Sequence, residues 1–196
     1  MRDEHFWSDL TLDLRRYCGE KPWSAQFLFS AIRQAYIHPG LIAIIVYRYG
    51  RWTLRNRIPV VRELFTLVYA LLFTFVRLIL HIEIPRSVVI GPGLRIDHFG
   101  GIIINNQVSI GANLTMTHGV IIGQSDTGIP ILRDNVGIGI GAKIIGGIVL
   151  EDGVIVGAGA VVTKSFPAYA IVAGVPAKLL RIRDPEIRHD FYDVAK

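Results

Sequence analysis

Two side chains in the stretch EIPRSVVIGPGLRIDHFGG could carry acid–base chemistry: Glu83 at its start and His98 near its end. An imidazole titrates near pH ~6.5, so it can take the proton of a hydroxyl that must become a nucleophile. A carboxylate on the second ring nitrogen would fix the tautomer and stabilise the imidazolium that forms. Asp97 precedes His98 directly, and His118 follows twenty residues later in TMTHGVIIG. A lone histidine at a chain corner more often caps backbone groups, and it is the neighbouring acids that give His98 its catalytic reading. His118 reads either as a residue lining the same cleft or as a surface corner. His81 reads as structural, and Glu151-Asp152 as a solvated corner.

What positions these residues is a six-residue rhythm. Aliphatic residues return at Ile90 and Ile96, slip by two near Gly100-Gly101, then continue at Ile104, Ile110, Met116 and Ile122. After a break over QSDTGIP, residues 124–130, they resume at Leu132, Ile138, Ile144, Leu150, Val156 and Val162. A companion track runs two positions ahead, through Val108, Leu114, Val120, Val136, Ala142, Ile148, Val154 and Ala160. Sustained hexads predict a parallel β-helix in which each hexad is a short strand plus a corner and three hexads close one triangular coil. On that count, fifteen residues bring Glu83 close to vertical register with His98. The break at 124–130 predicts a loop projecting from one corner, where function tends to sit.

The first half reads differently. Trp7, Leu10 and Leu14 recur at helical spacing, as do Phe27, Ala31 and Ala35. Lys21-Pro22-Trp23 and His38-Pro39-Gly40 break the helices, and a third runs from Leu41 to about Leu54. On it Tyr47, Arg48, Arg51 and Arg55 form a basic, aromatic face, expected to be solvated. Residues 60–82, VVRELFTLVYALLFTFVRLILHI, are the most apolar run in the chain. Too few residues separate Arg62-Glu63 from Arg77 to cross ~30 Å of hydrocarbon, and burying Arg77 near mid-membrane would cost roughly 2.5 kcal/mol or more. Two roles remain for this helix: an oligomer core, or an interfacial helix with its arginines at the headgroups. The expected organisation is a helical domain over 1–82, a β-helix over 83–183 and a tail over 184–196.

Composition bounds the rest. Of 196 residues 51% are hydrophobic, and the single Cys18 excludes an internal disulfide. Residues 1–14 are too charged to supply the apolar core of a signal peptide. The formal charge is +5, but the basic residues lack aromatic interleaving and no Cys/His metal spacing is present, which argues against nucleic acid. Cofactor phosphates or an acidic membrane surface fit the charge better.

The hexads, together with GVPAK, resemble the hexapeptide-repeat acyltransferases over residues 83 to about 183. Within that superfamily IDHFGGIIIN, GIGAKIIGGI and VGAGAVV resemble the serine acetyltransferase branch, as does HPGLIAIIVYRYGRW before the repeat. The resemblance implies a left-handed β-helix, usually a homotrimer with active sites between subunits, and O-acetylation with acetyl-CoA as donor and no metal. It puts His98 where the family has its general base, Glu83 where an Asp pairs with that base, and Asp97 where an acid contacts the acceptor amino acid. His118 is the further candidate for the acceptor cleft. Coenzyme A would run past Gly123, Ile140-Gly141, Ala158-Gly159, Lys164 and Lys178. The chain departs from the branch where an Arg-His pair gives way to Gly128-Ile129 ahead of Pro130, and where Lys21-Pro22 stands for an Asp-Pro. It is also similar to acetyltransferases of exopolysaccharide and capsule clusters, the colanic-acid type included. The expected acceptor is therefore a sugar hydroxyl in surface polysaccharide synthesis, with L-serine as the alternative. A non-catalytic β-helix scaffold is the reading from another class; its zinc-binding form needs three histidines on adjacent coils, and the repeat holds two. The expected location is the cytoplasm, with peripheral contact at the inner membrane face.

Overall fold

A computed structural model describes residues 6–19, 25–55 and 59–184. Four helices lead the chain: α1 (Phe6–Cys18), α2 (Ala25–Ile37), α3 (Gly40–Thr53) and α4 (Pro59–Phe75), the last running into a π-helical turn, Val76–Leu80. His81 then turns the backbone into the left-handed region (φ 53°) and ends the helical run. Strand pairing starts at Ile82, so the apolar helix ends two residues earlier than the 60–82 run and the β-helix begins one residue earlier than 83. The Lys21-Pro22-Trp23 break and the last twelve residues lie outside the described residues.

The strands follow in chain order as β1 (Ile82–Glu83), β2 (Val89–Ile90), β3 (Arg95–Asp97), β4 (Ile102–Ile104), β5 (Ser109–Ile110), β6 (Thr115–Thr117), β7 (Ile121–Gly123), β8 (Ile131–Leu132), β9 (Gly137–Ile138), β10 (Lys143–Ile145), β11 (Val149–Leu150), β12 (Ile155–Val156), β13 (Val161–Val162), β14 (Ala170–Ala173) and β15 (Lys178–Ile182). They form three walls of a prism: β1-β4-β7-β10-β13, β2-β5-β8-β11 and β3-β6-β9-β12-β14-β15. Each pairing is parallel except the last, where β15 folds back antiparallel on β14. The Lys178–Arg183 tail is thus largely a closing strand.

Every hexad residue of both tracks is buried, most with no exposed surface. They stack coil on coil, Ile96 under Met116 under Ile138 under Val156. Burying a side chain of this size contributes about 1.5–3 kcal/mol, and each one touches the coil above and below, so the core is continuous. Coil length varies. Ile96 to Met116 is twenty residues because Gly100-Gly101 add two to three hexads, while Leu132 to Leu150 is the plain eighteen. The break at 124–130 does not project far: Ser125 and Gly128 bridge each other, and the Gly147 N–H donates to Thr127 Oγ1 at 3.1 Å.

The lowest coil of a solenoid has an open backbone edge, which must be satisfied or covered. The helices do this with side chains. The Tyr47 hydroxyl donates to Val88 O (2.9 Å) and accepts from Ile90 N (3.1 Å). Tyr17 repeats the arrangement one strand later, donating to Ile96 O (3.0 Å) and accepting from Ile96 N (2.7 Å). Between them, Arg48 donates to Ile90 O and Gly91 O, Asp13 accepts from Leu94 N, and Arg16 donates to Gly93 O. Arg48 is 2% exposed and tied to Asp13 by Nε–Oδ2 (2.7 Å) and Nη2–Oδ1 (3.1 Å) contacts. The basic face expected on the third helix is therefore split: Tyr47 and Arg48 are buried as the keystone of the cap, because the five donors of a guanidinium bridge a carboxylate in bidentate fashion and two carbonyls at once.

Candidate active site

His98 follows β3 at the corner where the chain passes to β4. Its backbone sits in the left-handed region (φ 66°), a conformation costing on the order of 1 kcal/mol for a residue with a Cβ. The side chain is exposed, and its ring lies edge-on to His118 with centroids 5.8 Å apart. This juxtaposition follows from register: Asp97 pairs with Thr117, so the two histidines occupy the same corner of successive coils. His118 thus stands on the same edge as His98, which favours the cleft over an unrelated surface corner.

Glu83 is elsewhere. It pairs with Ile103 on the next wall of the prism and is half-buried, and no hydrogen bond or ion pair joins it to His98. The fifteen-residue spacing falls five short of the twenty that this coil takes, so the expected vertical register with His98 is corrected. Asp97 is 5% exposed and accepts from Arg95 Nε at 3.1 and 2.9 Å. Arg95 in turn lies 5.3 Å over the Tyr17 ring and donates to Arg16 O at 2.7 Å. Burial pushes the Tyr17 hydroxyl above its ordinary range, so it stays a neutral donor and acceptor. The sequence reading missed Arg95 and Tyr17; the signal was present in Arg95 standing two residues before Asp97, on the same face of a strand.

Above the histidines, the same edge carries a column of glycines. Gly119 N donates to Gly100 O, Gly141 N to His118 O and Gly159 N to Ile140 O, at 2.7–2.9 Å. A Cβ on Gly119 would stand 3.2 Å from Gly141 Cα, whereas one on Gly141 or Gly159 would point into open space. These glycines put no side chain on the edge above the histidine pair, and Ile140 and Ala158 beside them are exposed. Lys178 begins β15 just past the top of this edge. Gly123 and Lys164 do not join it: both lie at the ends of strands of the β1-β4-β7-β10-β13 wall, on the next edge, where Lys164 sits 5.5 Å over the Phe166 ring. Gly128-Ile129 also belongs to that second edge, and Ile129 packs against the core. Among the described residues no three His, Cys, Asp or Glu side chains come together as metal ligands would.

No family model matches the chain. It is 33% identical over 181 residues to a serine acetyltransferase of Helicobacter pylori, covering 88% of this chain and 96% of that protein. It is 30% identical over 160 residues to that of Mycobacterium tuberculosis, covering 80% and 67%. Against the Synechococcus elongatus serine acetyltransferase, 32% identical over 147 residues, it spans 57% of the relative's length. Among solved structures, serine acetyltransferase from Brucella abortus superposes with a TM-score of 0.70 at 29% identity, covering 89% of this chain and 68% of that one. The same enzyme in complex with coenzyme A matches at 0.70 and 27%, covering 89% and 67%. A β-helix cannot superpose on one of opposite hand, so the coil here shares the left hand of that fold. The stacked hexads, the helical cap and these identities together lead to one conclusion: the chain belongs to the serine acetyltransferase family of hexapeptide-repeat acetyltransferases.

Proposed function

We propose that the protein is an acetyl-CoA-dependent O-acetyltransferase in which His98 is the general base. The observation carrying this is the pairing of exposed His98 with half-buried His118 at the foot of a glycine column open to solvent. In this reading the extended acetyl thioester lies along Gly141 and Gly159 with its carbonyl at the histidines. An imidazole nitrogen of His98 takes the acceptor hydroxyl proton as the oxygen attacks the thioester carbonyl. The tetrahedral adduct collapses, the C–S bond breaks, and the proton passes to the departing sulfur, giving an acetyl ester and free thiol. No covalent enzyme intermediate is required.

The relatives favour L-serine as acceptor, and the polysaccharide reading has no support among them. A second reading, transfer to a hydroxyl of an acceptor without a zwitterionic head, rests on this chain's own residues. Asp97 is already neutralised by Arg95, and Ile129, packed against the core, supplies no charge where the branch has its Arg-His pair. Thiol release from acetyl-CoA, measured with L-serine and with a panel of sugars, separates them: faster turnover of serine supports the first, faster turnover of a sugar the second. No release with any acceptor, together with no coenzyme A binding, would reject the enzyme reading altogether.

Gly123 and Lys164 lie one prism edge away from Gly141 and Gly159. Donor contacts to both sets fit an assembly in which an edge of one copy faces the other edge of its neighbour, and we assign the site to that junction.

A further inference from the structure

Arg95 stands where it governs what approaches His98. Strand alternation turns Ile96 and Met116 into the core, so Arg95, Asp97, Thr115 and Thr117 share the outward face of β3 and β6. Asp97 is the residue bonded to His98, their Cα atoms about 3.8 Å apart. Its carboxylate is therefore an anion next to the imidazole proposed as base, and an ammonium on a small hydroxyl acceptor would seek it. Arg95 already holds it: Nε lies 3.1 Å from Oδ1 and 2.9 Å from Oδ2. The two side chains are only 27% and 8% exposed. The guanidinium is fixed from its other end as well, because Nη1 donates to Arg16 O at 2.7 Å and the group lies 5.3 Å from the Tyr17 ring centroid. Tyr17 is itself clamped through its hydroxyl to both backbone groups of Ile96, with the His38 ring 5.7 Å away. Arg16 closes the cluster by donating to Thr115 Oγ1 at 3.0 Å. An exposed ion pair opens at little cost. This one is anchored by Asp97, Arg16 and Tyr17 together, and moving Arg95 off Asp97 also breaks its bond to α1.

We propose that Arg95 is a specificity-determining residue: its guanidinium holds the Asp97 carboxylate in place of an acceptor's ammonium, so the site takes a hydroxyl compound with no amino group beside the hydroxyl-bearing carbon. This rests on the acetyltransfer reading with His98 as base, and it adds the residue that sets the acceptor class. Specificity is a difference of affinities and uses repulsive as well as attractive elements. Arg95 acts on an ammonium in both ways. It takes up the carboxylate that would replace the water an ammonium gives up on entering the site, and it sets a fixed positive charge where a second cation would approach. A hydroxyl compound without an ammonium loses nothing by either. Asp97 then serves as the counter-charge that keeps Arg95 in place, and not as a contact to the acceptor.

The test is thiol release from acetyl-CoA by the full chain with L-serine and with β-hydroxypropionate, which is serine without its ammonium. For the wild type, kcat/KM for β-hydroxypropionate is expected to equal or exceed that for L-serine. Arg95→Leu releases the Asp97 carboxylate, and the ratio is expected to move toward serine by ~10-fold or more. The change is expected in the KM of serine, with the KM for acetyl-CoA unchanged; a merely structural role would move both acceptors together. Asp97→Asn gives a second reading that does not depend on Arg95→Leu folding: with Arg95 in place it is expected to alter both acceptors by the same factor. A wild type that prefers serine by ~10-fold or more, a ratio unmoved in a folded Arg95→Leu, or a loss confined to serine in Asp97→Asn overturns the proposal. Absence of thiol release with any acceptor rejects the acetyltransfer reading alone. Calorimetric titration of the two acids into wild type and both variants, with coenzyme A present, then reads the same ratios with the same outcomes.

Discussion

At the scale of single residues, His98 is the position where backbone and side chain both depart from the ordinary. Its left-handed φ turns the imidazole outward beside His118 instead of leaving it to cap the corner. His98→Ala is expected to lower kcat/KM by ~10²–10⁴-fold while the circular dichroism spectrum and assembly mass stay unchanged. Glu83 offers a contrast, since within one chain no hydrogen bond or ion pair joins it to His98. Glu83→Gln is accordingly expected to cost less than ~10-fold in steady-state thiol release; a loss as large as that of His98→Ala would mean that the two groups meet in the working enzyme. Arg95 is the residue that changes the meaning of a neighbour. By pairing with Asp97 it converts an acid next to His98 into a support that ties β3 to the end of α1.

At the scale of elements, the helices are a cap for an open β edge, and their ion pair is the costly part of it. Burial raises the Asp13 pKa, while Arg48 and the Leu94 N–H act against that rise; with three donors aimed at it, the group works as a carboxylate. Arg48→Met leaves this carboxylate buried without a counter-charge and is expected to cost ~3–5 kcal/mol in urea unfolding. The glycine column makes a different prediction. Gly141 has φ +68° and open space beyond it, so Gly141→Ala should fold with a loss of ~1–2 kcal/mol. Its methyl would stand on the edge proposed for the donor, raising the KM for acetyl-CoA with a smaller effect on the KM of the acceptor. Equal effects on both would indicate that the donor lies elsewhere.

At the scale of the whole molecule, the candidate site residues are distributed over two edges of a prism, and one copy does not bring them together. Multi-angle light scattering is expected to return a trimer of the 21.8 kDa chain; a monomer that turns over acetyl-CoA would rule out a site between subunits. Much of this architecture was legible from the chain alone. Which residues face the core follows from a six-residue period, and that is a local property: each aliphatic hexad position buries itself whatever its neighbours in space are. The same residues carried the fold class, the break at 124–130 and the candidacy of His98. Vertical relations were another matter. The two-residue slip at Gly100-Gly101 lengthens one coil to twenty residues and puts His118 over His98, whereas fifteen residues fall short of three hexads and leave Glu83 on the next wall. The period could not show that Arg48 would be buried against Asp13, or that Arg95 would be held between Asp97, Tyr17 and the backbone of Arg16. Those partners are remote in sequence, and a charged side chain reads as solvated until the segment that neutralises it is folded beside it. The period determined the core; the corners and the helical cap decided the site.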